Sequence, residues 1–462
     1  MLGRRPKKTS CVWQWPNLMK LNFFDFSGRH GMALVLLLLC LFFSGVTLTE
    51  QSPSGDAAAR QVATSVRRQF PEKPQVLVVT SGQPGDLEFF DGLVRDLPAT
   101  AKITRVDGEP SEARAALINR AKGGDKLDVI AATSVTAAWL VFGDLKTDFP
   151  GLGNPRLFAP KSYRWPNFLK PANLLNIANQ IAVIAIVAIG MTLVIIAGGI
   201  DLSVGSLIAL SAVLVARFIR DYAGGTGASG LGMLLAAIAA IVLCGGLGAF
   251  TGWMIIGFGV PPFIGTLALM LVGSGLAYLL ASGQSIYQIP ESFVWLGRGA
   301  DLWGLPNAVV LMGVLYGLAH VLMSRMTLGR YLYAVGGNRE AARLAGVPVR
   351  RVLLFAYVAC ALLAGLGGVI MASQLKSGSA TYGSMYELYV IAAVVVGGTS
   401  LSGGEGRMFG TLTGALTIAV IQNGMNLTNV ESYTQKVILG LVILGSVLLD
   451  RIRTQGGGNK VG

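Results

Sequence analysis

Long apolar runs alternate with short polar segments along most of this chain. The first run, Met32 to Leu48, is followed by a long polar stretch, and the apolar character returns at about residue 172. Each later run is close to the roughly 20 residues that an α-helix needs to cross a bilayer. These runs occupy residues 174–197, 200–218, 231–256, 262–282, 306–323, 351–373, 386–400, 407–424 and 434–450. The pattern predicts an all-α polytopic membrane protein with about ten transmembrane helices.

The polar stretch at residues 50–165 has a different pattern. Its fifteen Lys or Arg and fourteen Asp or Glu residues give the charge balance of a soluble domain. Strand-like and helix-like segments alternate within it, in the order Lys73–Gly82, Glu88–Leu97, Lys102–Val106, Ser111–Lys122 and Lys126–Ser134. We expect Ser111 to cap the second of these helices. The alternation predicts a small α/β insert with a parallel sheet after the first membrane helix.

The charges indicate which ends of the spans face the cytoplasm. Hydrophobic residues make up 53% of the chain and charged residues 13%, and the net charge of +13 is carried mainly by short segments between apolar runs. This distribution is typical of the positive-inside bias of membrane proteins and not of a nucleic-acid-binding surface. Residues 324–350 are rich in arginine and contain one acid, Glu340. Ten spans with a cytoplasmic N-terminus place this segment and the C-terminus inside, and the insert outside.

This topology divides the chain into regions of different character. They are a basic cytoplasmic tail at 1–31, a first transmembrane helix at 32–48, an extracytoplasmic insert at 50–165, a helix bundle at 166–453 and a flexible tail at 454–462. The four cysteines and two histidines show no metal-ligand spacing, so we expect neither a metal site nor a cofactor.

An interrupted apolar run is the first candidate for function. Gly198 and Gly199 break the run, and Asp201 and Ser203 open the next one. An Asp at this position is well suited to accept the free N–H groups of the following helix. A broken helix in a bilayer also exposes backbone groups, and these are tolerated where they line a polar cavity. Both roles, a helix cap and part of a substrate pathway, remain open.

Three further segments carry polar residues that the apolar pattern does not explain. Within 324–350, a Gly turn precedes a short helix that serves either for partner docking or as a solvated connection; its candidate residues are Gly336, Gly337, Asn338, Glu340, Ala341, Ala342 and Gly346. Asn423 and Asn426 share one helix face and bond either a solute or a neighbouring helix. Glu387 and Tyr389 are weaker candidates near the membrane interface.

The run Leu401–Glu405, LSGGE, predicts a tight turn and not a nucleotide site, because the sequence contains no GxxxxGK[ST] phosphate loop.

Several of these segments together resemble one family. Thr192–Ser206, Thr327–Val347, Ala392–Leu416 and Gln422–Leu427 match, in order, the permease subunits of ribose- and galactose-type ABC importers. The resemblance covers roughly residues 160–450. It implies a permease subunit in the bacterial inner (plasma) membrane that imports a monosaccharide or similar small polar solute. Both termini are expected in the cytoplasm from the charge distribution, and the missing phosphate loop predicts that the chain performs no catalysis itself. The resemblance also implies three kinds of partner, which are ABC ATPase subunits, an extracytoplasmic solute-binding protein and a second permease subunit in a homo- or heterodimer.

The resemblance assigns a role to residues 324–350, which we call the coupling loop. It implies that this loop docks on the ATPase, with Glu340, Ala341, Ala342 and Gly346 as the contact core. The insert resembles the opening half of a ribose-type periplasmic binding protein and is expected to act as a spacer, a docking domain or a solute-binding domain. The competing functions are a secondary transporter or channel, which usually needs more ionisable residues in the membrane than Asp201, and a membrane sensor.

Overall fold

The chain forms two compact units. The structure, a computed structural model, describes residues 18–458. One unit, the membrane unit, comprises the chain up to Thr47 and from Phe168 onward, and the other is the insert, Leu48–Asn167.

The insert is an α/β domain. Its strands are β1 (Leu48–Gln51), β2 (Gln75–Thr80), β3 (Lys102–Asp107), β4 (Val129–Ala132), β5 (Arg156–Phe158) and β6 (Tyr163–Pro166). Following α1 of the membrane unit (Leu18–Val46), its helices are α2 (Gly55–Gln69), α3 (Asp86–Asp96), α4 (Pro110–Gly123) and α5 (Leu145–Asp148). Strands β3, β2, β4 and β5 form a parallel sheet in that order, and β1 pairs with β6 in antiparallel register from Leu48–Pro166 to Gln51–Tyr163.

Both faces of the parallel sheet are buried, which explains the continuous apolar run of β2. Val76 and Val78 pack with α2 and α3 on one face, whereas Leu77 and Val79 pack with α4 on the other. The prediction that Ser111 caps α4 is wrong. Glu109 is the capping residue and forms a capping box with Glu112, because Pro110 begins the helix one residue before Ser111.

The membrane unit is helical. Besides α1, it contains α6 (Pro171–Ile196), α7 (Val204–Tyr222), α8 (Gly230–Phe258), α9 (Pro262–Ala281), α10 (Trp295–Arg298), α11 (Asn307–Arg325), α12 (Thr327–Gly337), α13 (Arg339–Leu344), α14 (Val349–Leu375), α15 (Tyr386–Val396), α16 (Met408–Leu427) and α17 (Ser432–Gly458). Five of the described helices, α6, α8, α9, α11 and α14, are long and apolar enough to span a bilayer. This composition is that of a polytopic membrane protein.

Both ends of the membrane unit differ from the sequence prediction. Helix α1 begins at Leu18, so it includes part of the predicted tail at 1–31, whose residues 1–17 lie outside the described structure. Helix α17 continues to Gly458, so the predicted flexible tail at 454–462 is helical over its first part. Residues 459–462 also lie outside the described structure. The apolar pattern marks only the hydrophobic portion of a helix and therefore misses these polar extensions.

Helices α6 and α14 form the centre of the membrane unit. Buried residues make up 89% of the most apolar window of α6 and 61% of that of α14, against 28% for α8 and 22% for α9. The outer helices therefore present apolar surface suited to lipid. Small residues bring α8 close to α14, where a Cβ added at Gly248 would overlap the Cβ of Ala361 and lie 2.8 Å from the carbonyl oxygen of Tyr357.

We predict that Gly248→Ala lowers the thermal stability of the detergent-solubilised chain, because the added methyl group forces α8 away from α14, at a cost of about 1–3 kcal/mol. Gly246→Ala is the matched control, since nothing lies within 4 Å of a Cβ at that position. Thermal unfolding followed by size-exclusion chromatography measures both. Equal midpoints for the two variants would contradict the close packing of these helices.

Candidate functional site

The break between α6 and α7 is the first part of the site. Helix α6 ends at Ile196, and the chain passes through Gly198, whose φ of +77° favours glycine. Gly199 packs against α14, where an added Cβ would overlap the hydroxyl oxygen of Tyr357. Side chains at these two positions would therefore disturb both the turn and its contact with the central helix.

Asp201 is buried in this break, with 2% of its surface exposed. Its Oδ1 atom accepts hydrogen bonds from the backbone N–H of Ser203 at 2.9 Å and from the Ser203 hydroxyl at 2.6 Å. Cys360 and Tyr357 of α14 lie beside the carboxylate. The N-cap of α7 is Ser203, and no side-chain hydrogen bond caps the first turn of this helix. The Asp201 contacts therefore hold the turn before α7 and do not form the predicted helix cap.

Four glycines, Gly198, Gly336, Gly403 and Gly404, bring three distant segments into backbone contact at one place, which we call the glycine junction. The backbone N–H of Gly404 donates to the carbonyl oxygen of Ile196 at 2.9 Å. A Cβ at Gly336 would overlap that same oxygen and lie 2.5 Å from the nitrogen of Gly404. A Cβ at Gly403 would lie 3.0 Å from the Gly336 oxygen and 3.1 Å from the Gly198 Cα. The end of α6, the coupling loop and the 401–405 turn therefore meet without intervening side chains.

Arg339 adds a side-chain contact to the glycine junction. Its Nη2 atom donates to the carbonyl oxygen of Gly198 at 3.1 Å, and it lies 3.5 Å from that of Ala197. A cation at the C-terminal end of α6 also complements the negative end of the helix dipole. Tyr333 makes a further link, because its hydroxyl donates to the carbonyl oxygen of Gly406 at 2.8 Å.

The coupling loop is largely helical and presents an exposed face. The Asn338 side chain accepts the N–H of Ala341 at 3.0 Å and so caps α13. Glu340 and Arg343 form an ion pair at 2.9 Å, with most of both side chains exposed. Leu344 protrudes with 82% of its surface exposed. This protruding apolar side chain is a candidate contact for a partner protein.

Other predicted residues of the coupling loop have internal positions. Ala342 is 5% exposed, so its place inside the chain does not fit the expected contact with a partner. Gly346, with φ of +83°, ends α13 and donates its N–H to the Arg343 carbonyl at 3.0 Å. Gly337 has open space around its Cβ position, in contrast to Gly336. The sequence analysis did not single out Leu344, although it is the one large apolar residue between Asn338 and Gly346.

Asn423 and Asn426 do not join Asp201 in one site. Asn423 exchanges two amide hydrogen bonds with Asn173, at 2.9 and 3.0 Å, and thereby ties α16 to the first turn of α6. Asp201 follows the opposite end of α6, a helix about 39 Å long. Asn426 accepts a hydrogen bond from Gln435 of α17 at 2.8 Å. These amides bond neighbouring helices, and hence the predicted pathway set separates into two places.

The sequence analysis did not identify the polar segment before α15 as part of a site. Residues 376–385 run along α7, where an added Cβ at Gly378 would lie 2.5 Å from the Ala212 oxygen and one at Gly383 would lie 2.5 Å from the Gly205 oxygen. Helix α15 then begins at Tyr386, beside the first turn of α7, and is only 11 residues long. Its length of about 16 Å is half that of a membrane span. The available signal was the composition SGSATYGSM directly before a short apolar run.

Comparison with known proteins identifies relatives of the membrane unit. The family described as "Branched-chain amino acid transport system / permease component" matches residues 173–447. The ribose import permease protein RbsC of Escherichia coli (strain K12) is 42% identical over 289 residues, which are 62% of this chain and 87% of that protein. RbsC of Bacillus subtilis (strain 168) is 44% identical over 288 residues, with the same two coverages of 62% and 87%.

A further relative covers more of this chain. The D-allose transport system permease protein AlsC of Escherichia coli (strain K12) is 32% identical over 350 residues, which are 76% of this chain and 98% of that protein. No solved structure matches this chain.

We predict that Gly336→Ala disrupts the glycine junction, because its methyl group and the Ile196 carbonyl oxygen would occupy the same space. Gly337→Ala is the control, since that position has open space on the adjacent residue. We expect a lower yield of monodisperse protein and a lower unfolding midpoint for Gly336→Ala alone, measured by size-exclusion chromatography across a temperature series. Indistinguishable behaviour of the two variants would contradict the junction.

Proposed function

Because this chain belongs to the family of branched-chain amino acid transport system permease components, we propose that it is the membrane-spanning permease subunit of an ATP-driven importer for a monosaccharide. The matched residues 173–447 run from the first turn of α6 into α17 and leave out α1. The relatives named for ribose and D-allose support a monosaccharide as the solute. In such an importer the permease forms the conduit, and a separate subunit hydrolyses ATP.

The glycine junction is the observation that carries this proposal within the structure. A permease driven by an external ATPase needs an exposed docking surface that is mechanically joined to its membrane helices. The coupling loop has both properties, since Glu340 and Leu344 are exposed whereas Gly336 and Arg339 contact the end of α6. Movement of the docked loop therefore acts directly on the break that contains Asp201. We propose that Gly198, Gly199, Asp201 and Ser203 form a hinge at the inner end of the pathway.

The proposed topology follows from the same assignment. Ten segments cross the membrane in this proposal. Nine are the helices α1, α6, α7, α8, α9, α11, α14, α16 and α17, and the tenth consists of residues 376–385 followed by the short helix α15. Both termini and the coupling loop lie in the cytoplasm, and the insert lies outside. The proposed assembly contains a second permease subunit, ATPase subunits bound at the coupling loops and an extracytoplasmic solute-binding protein. ATP drives transport through its unequal binding to two states of this assembly.

We propose that the insert is a spacer or a docking domain and not a solute-binding domain. Ligands of open parallel sheets bind at the loops after the strands, using free backbone N–H groups. In the insert, the loop after β2 is already occupied by the Asp86 carboxylate. That carboxylate accepts the backbone N–H groups of Ser81 at 2.8 Å and Gln83 at 3.1 Å. These donors are therefore not available to an external ligand.

Reconstitution tests the proposed function. The chain is purified together with the ATPase and binding protein from its own cells, placed in liposomes, and assayed for uptake of radiolabelled D-ribose and D-allose. We expect uptake that requires ATP and the binding protein and stops when vanadate inhibits the ATPase. Uptake that persists without any ATPase would instead establish a secondary transporter or channel.

We predict that Leu344→Asp weakens association with the ATPase by about 2 kcal/mol or more, roughly thirtyfold, because an apolar anchor is replaced by a charge. Co-purification and ATPase titration against the detergent-solubilised permease measure the effect. Leu140→Asp in the insert is the control, since Leu140 is 95% exposed and lies on the side proposed to face away from the cytoplasm. Normal ATPase affinity of Leu344→Asp would exclude this residue from the docking surface.

A further inference from the structure

A polar cavity of about 250 Å³ lies in the membrane unit between α7, α9 and residues 380–387. Half of its lining residues carry a hydroxyl or carboxylate group. Those that bear on its chemistry are Ser206, Ser274, Tyr278, Thr381, Tyr382 and Glu387. No Lys, Arg or His residue is among the described residues that line it.

Glu387 is the most unusual side chain in the lining of this cavity. It lies in the first turn of α15, and its carboxylate approaches the first turn of α7, where an added Cβ at Gly205 would overlap its Oε2 atom. Within the part of the chain that the structure describes, no cationic side chain forms an ion pair with it. Both helix N-termini favour a negative charge at this position. An ionisable side chain in a membrane protein that faces a cavity without a cationic partner is a strong candidate for ligand contact.

Close backbone packing allows residues 380–387 to line the cavity beside α7. A Cβ at Gly205 would also lie 2.6 Å from the carbonyl oxygen of Gly383, so the polar segment approaches α7 only because both residues are glycine. Gly383 has a φ of +69° and Met385 a φ of +66°, and these two turns bring the chain into α15 at the level of the α6–α7 break. The cavity therefore lies beside the α6–α7 break, and broken helices commonly line the binding sites of transporters.

The chemistry of the lining defines the ligand that fits. Hydroxyl groups donate and accept hydrogen bonds, whereas a carboxylate accepts them and repels anions. The rings of Tyr278 and Tyr382 supply apolar surface beside these polar groups. A volume of about 250 Å³ is below the roughly 300–1,000 Å³ of sites for drug-sized ligands. The lining matches a small neutral molecule with many hydroxyl groups and disfavours anions such as sugar phosphates.

We propose that this cavity binds one neutral polyhydroxylated solute of monosaccharide size, with the Glu387 carboxylate accepting hydrogen bonds from its hydroxyl groups. The assignment rests on the proposed import function and specifies where in the permease the solute is held. It also connects the solute to the coupling loop. The Ser206 hydroxyl, which lines the cavity, donates to the Ser203 carbonyl oxygen at 2.8 Å, and Ser203 in turn bonds Asp201 in the hinge next to the glycine junction.

Transport by the reconstituted complex provides the first test. We expect Glu387→Gln to reduce ATP-dependent uptake of radiolabelled D-ribose by roughly tenfold to a hundredfold, the loss expected when a hydrogen bond to a charged group is removed. ATP hydrolysis stimulated by the binding protein should persist, because the coupling loop is unchanged. Glu291→Gln is the control, since Glu291 pairs with Lys376 and does not line the cavity. Unchanged D-ribose uptake by Glu387→Gln would overturn the proposal.

Cysteine labelling of the purified full chain provides a second test that needs no transport. Thr381→Cys and Ser274→Cys are reacted with a maleimide, with the unsubstituted chain as background and Leu140→Cys as a control outside the cavity. We expect millimolar D-ribose to protect both cavity cysteines, and D-ribose 5-phosphate to protect neither. Labelling that D-ribose does not slow, or that the phosphate slows equally, would overturn the cavity assignment.

The two tests separate failure of the cavity from failure of the import function. Protection without ATP-dependent uptake by the unsubstituted complex would retain the cavity and reject the importer. ATP-dependent uptake with no protection and no effect of Glu387→Gln would retain the importer and reject the cavity.

Discussion

The last carbonyl groups of α6 determine how the rest of the membrane unit is arranged. A helix that stops leaves its final carbonyls without intrahelical partners, and a buried end requires donors from elsewhere. Here the N–H groups of residues 197–199 satisfy the carbonyls of residues 193–195, and the Ile196 carbonyl accepts the backbone N–H of Gly404. The guanidinium of Arg339 bonds the carbonyl of Gly198, just past the end of the helix. Gly404 and Arg339 are the two donors that the break itself does not supply. Both come from segments far away in sequence. Because glycines line the contact, the backbones themselves meet, and the broken helix, the coupling loop and the 401–405 turn cannot be repositioned independently.

This arrangement gives a continuous series of contacts from the proposed docking surface on α13 to the proposed solute cavity. The exposed Leu344 lies on α13, which begins at Arg339, and Arg339 holds the end of α6. From there Asp201 and Ser203 start α7, whose first turn contacts the polar segment before α15. Each step is a packed or hydrogen-bonded contact and none is a flexible linker. A chain of contacts does not by itself produce coupling, which also requires an element with two discrete arrangements. We propose the glycine junction as the element whose arrangement both the ATPase and the solute would bias.

The sequence predicted the helices well and the sites only in part. The apolar runs placed the helices from α6 to α9 and α11, α14 and α16 within a few residues, because a run suited to lipid leaves few alternatives. Helices α1 and α17 extend well beyond their predicted runs. The sequence pattern also placed the Gly198–Asp201 break and the parallel sheet of the insert. The reciprocal bonds between Asn423 and Asn173 were not predictable, since a single sequence does not show which helices are neighbours. The burial of Ala342 was not predictable for the same reason, since a single sequence does not show what covers a small residue.

The polar segment before α15 illustrates a more general limit of searching a single sequence for apolar runs. A search for apolar runs treats SGSATYGSM as a connection, because polar residues between spans are normally solvated loops. Packing along α7 places the same residues inside the membrane unit. Some of their hydroxyl groups bond one another there, as Ser377 does with Tyr382 and Ser379 with Thr381, whereas Glu387 forms no ion pair among the described residues. A carboxylate in a membrane protein is costly unless polar groups solvate it, and in the proposed site the hydroxyl groups of a sugar would do so. The proposed cavity therefore adds to family membership a physical reason to expect a solute rich in hydroxyl groups.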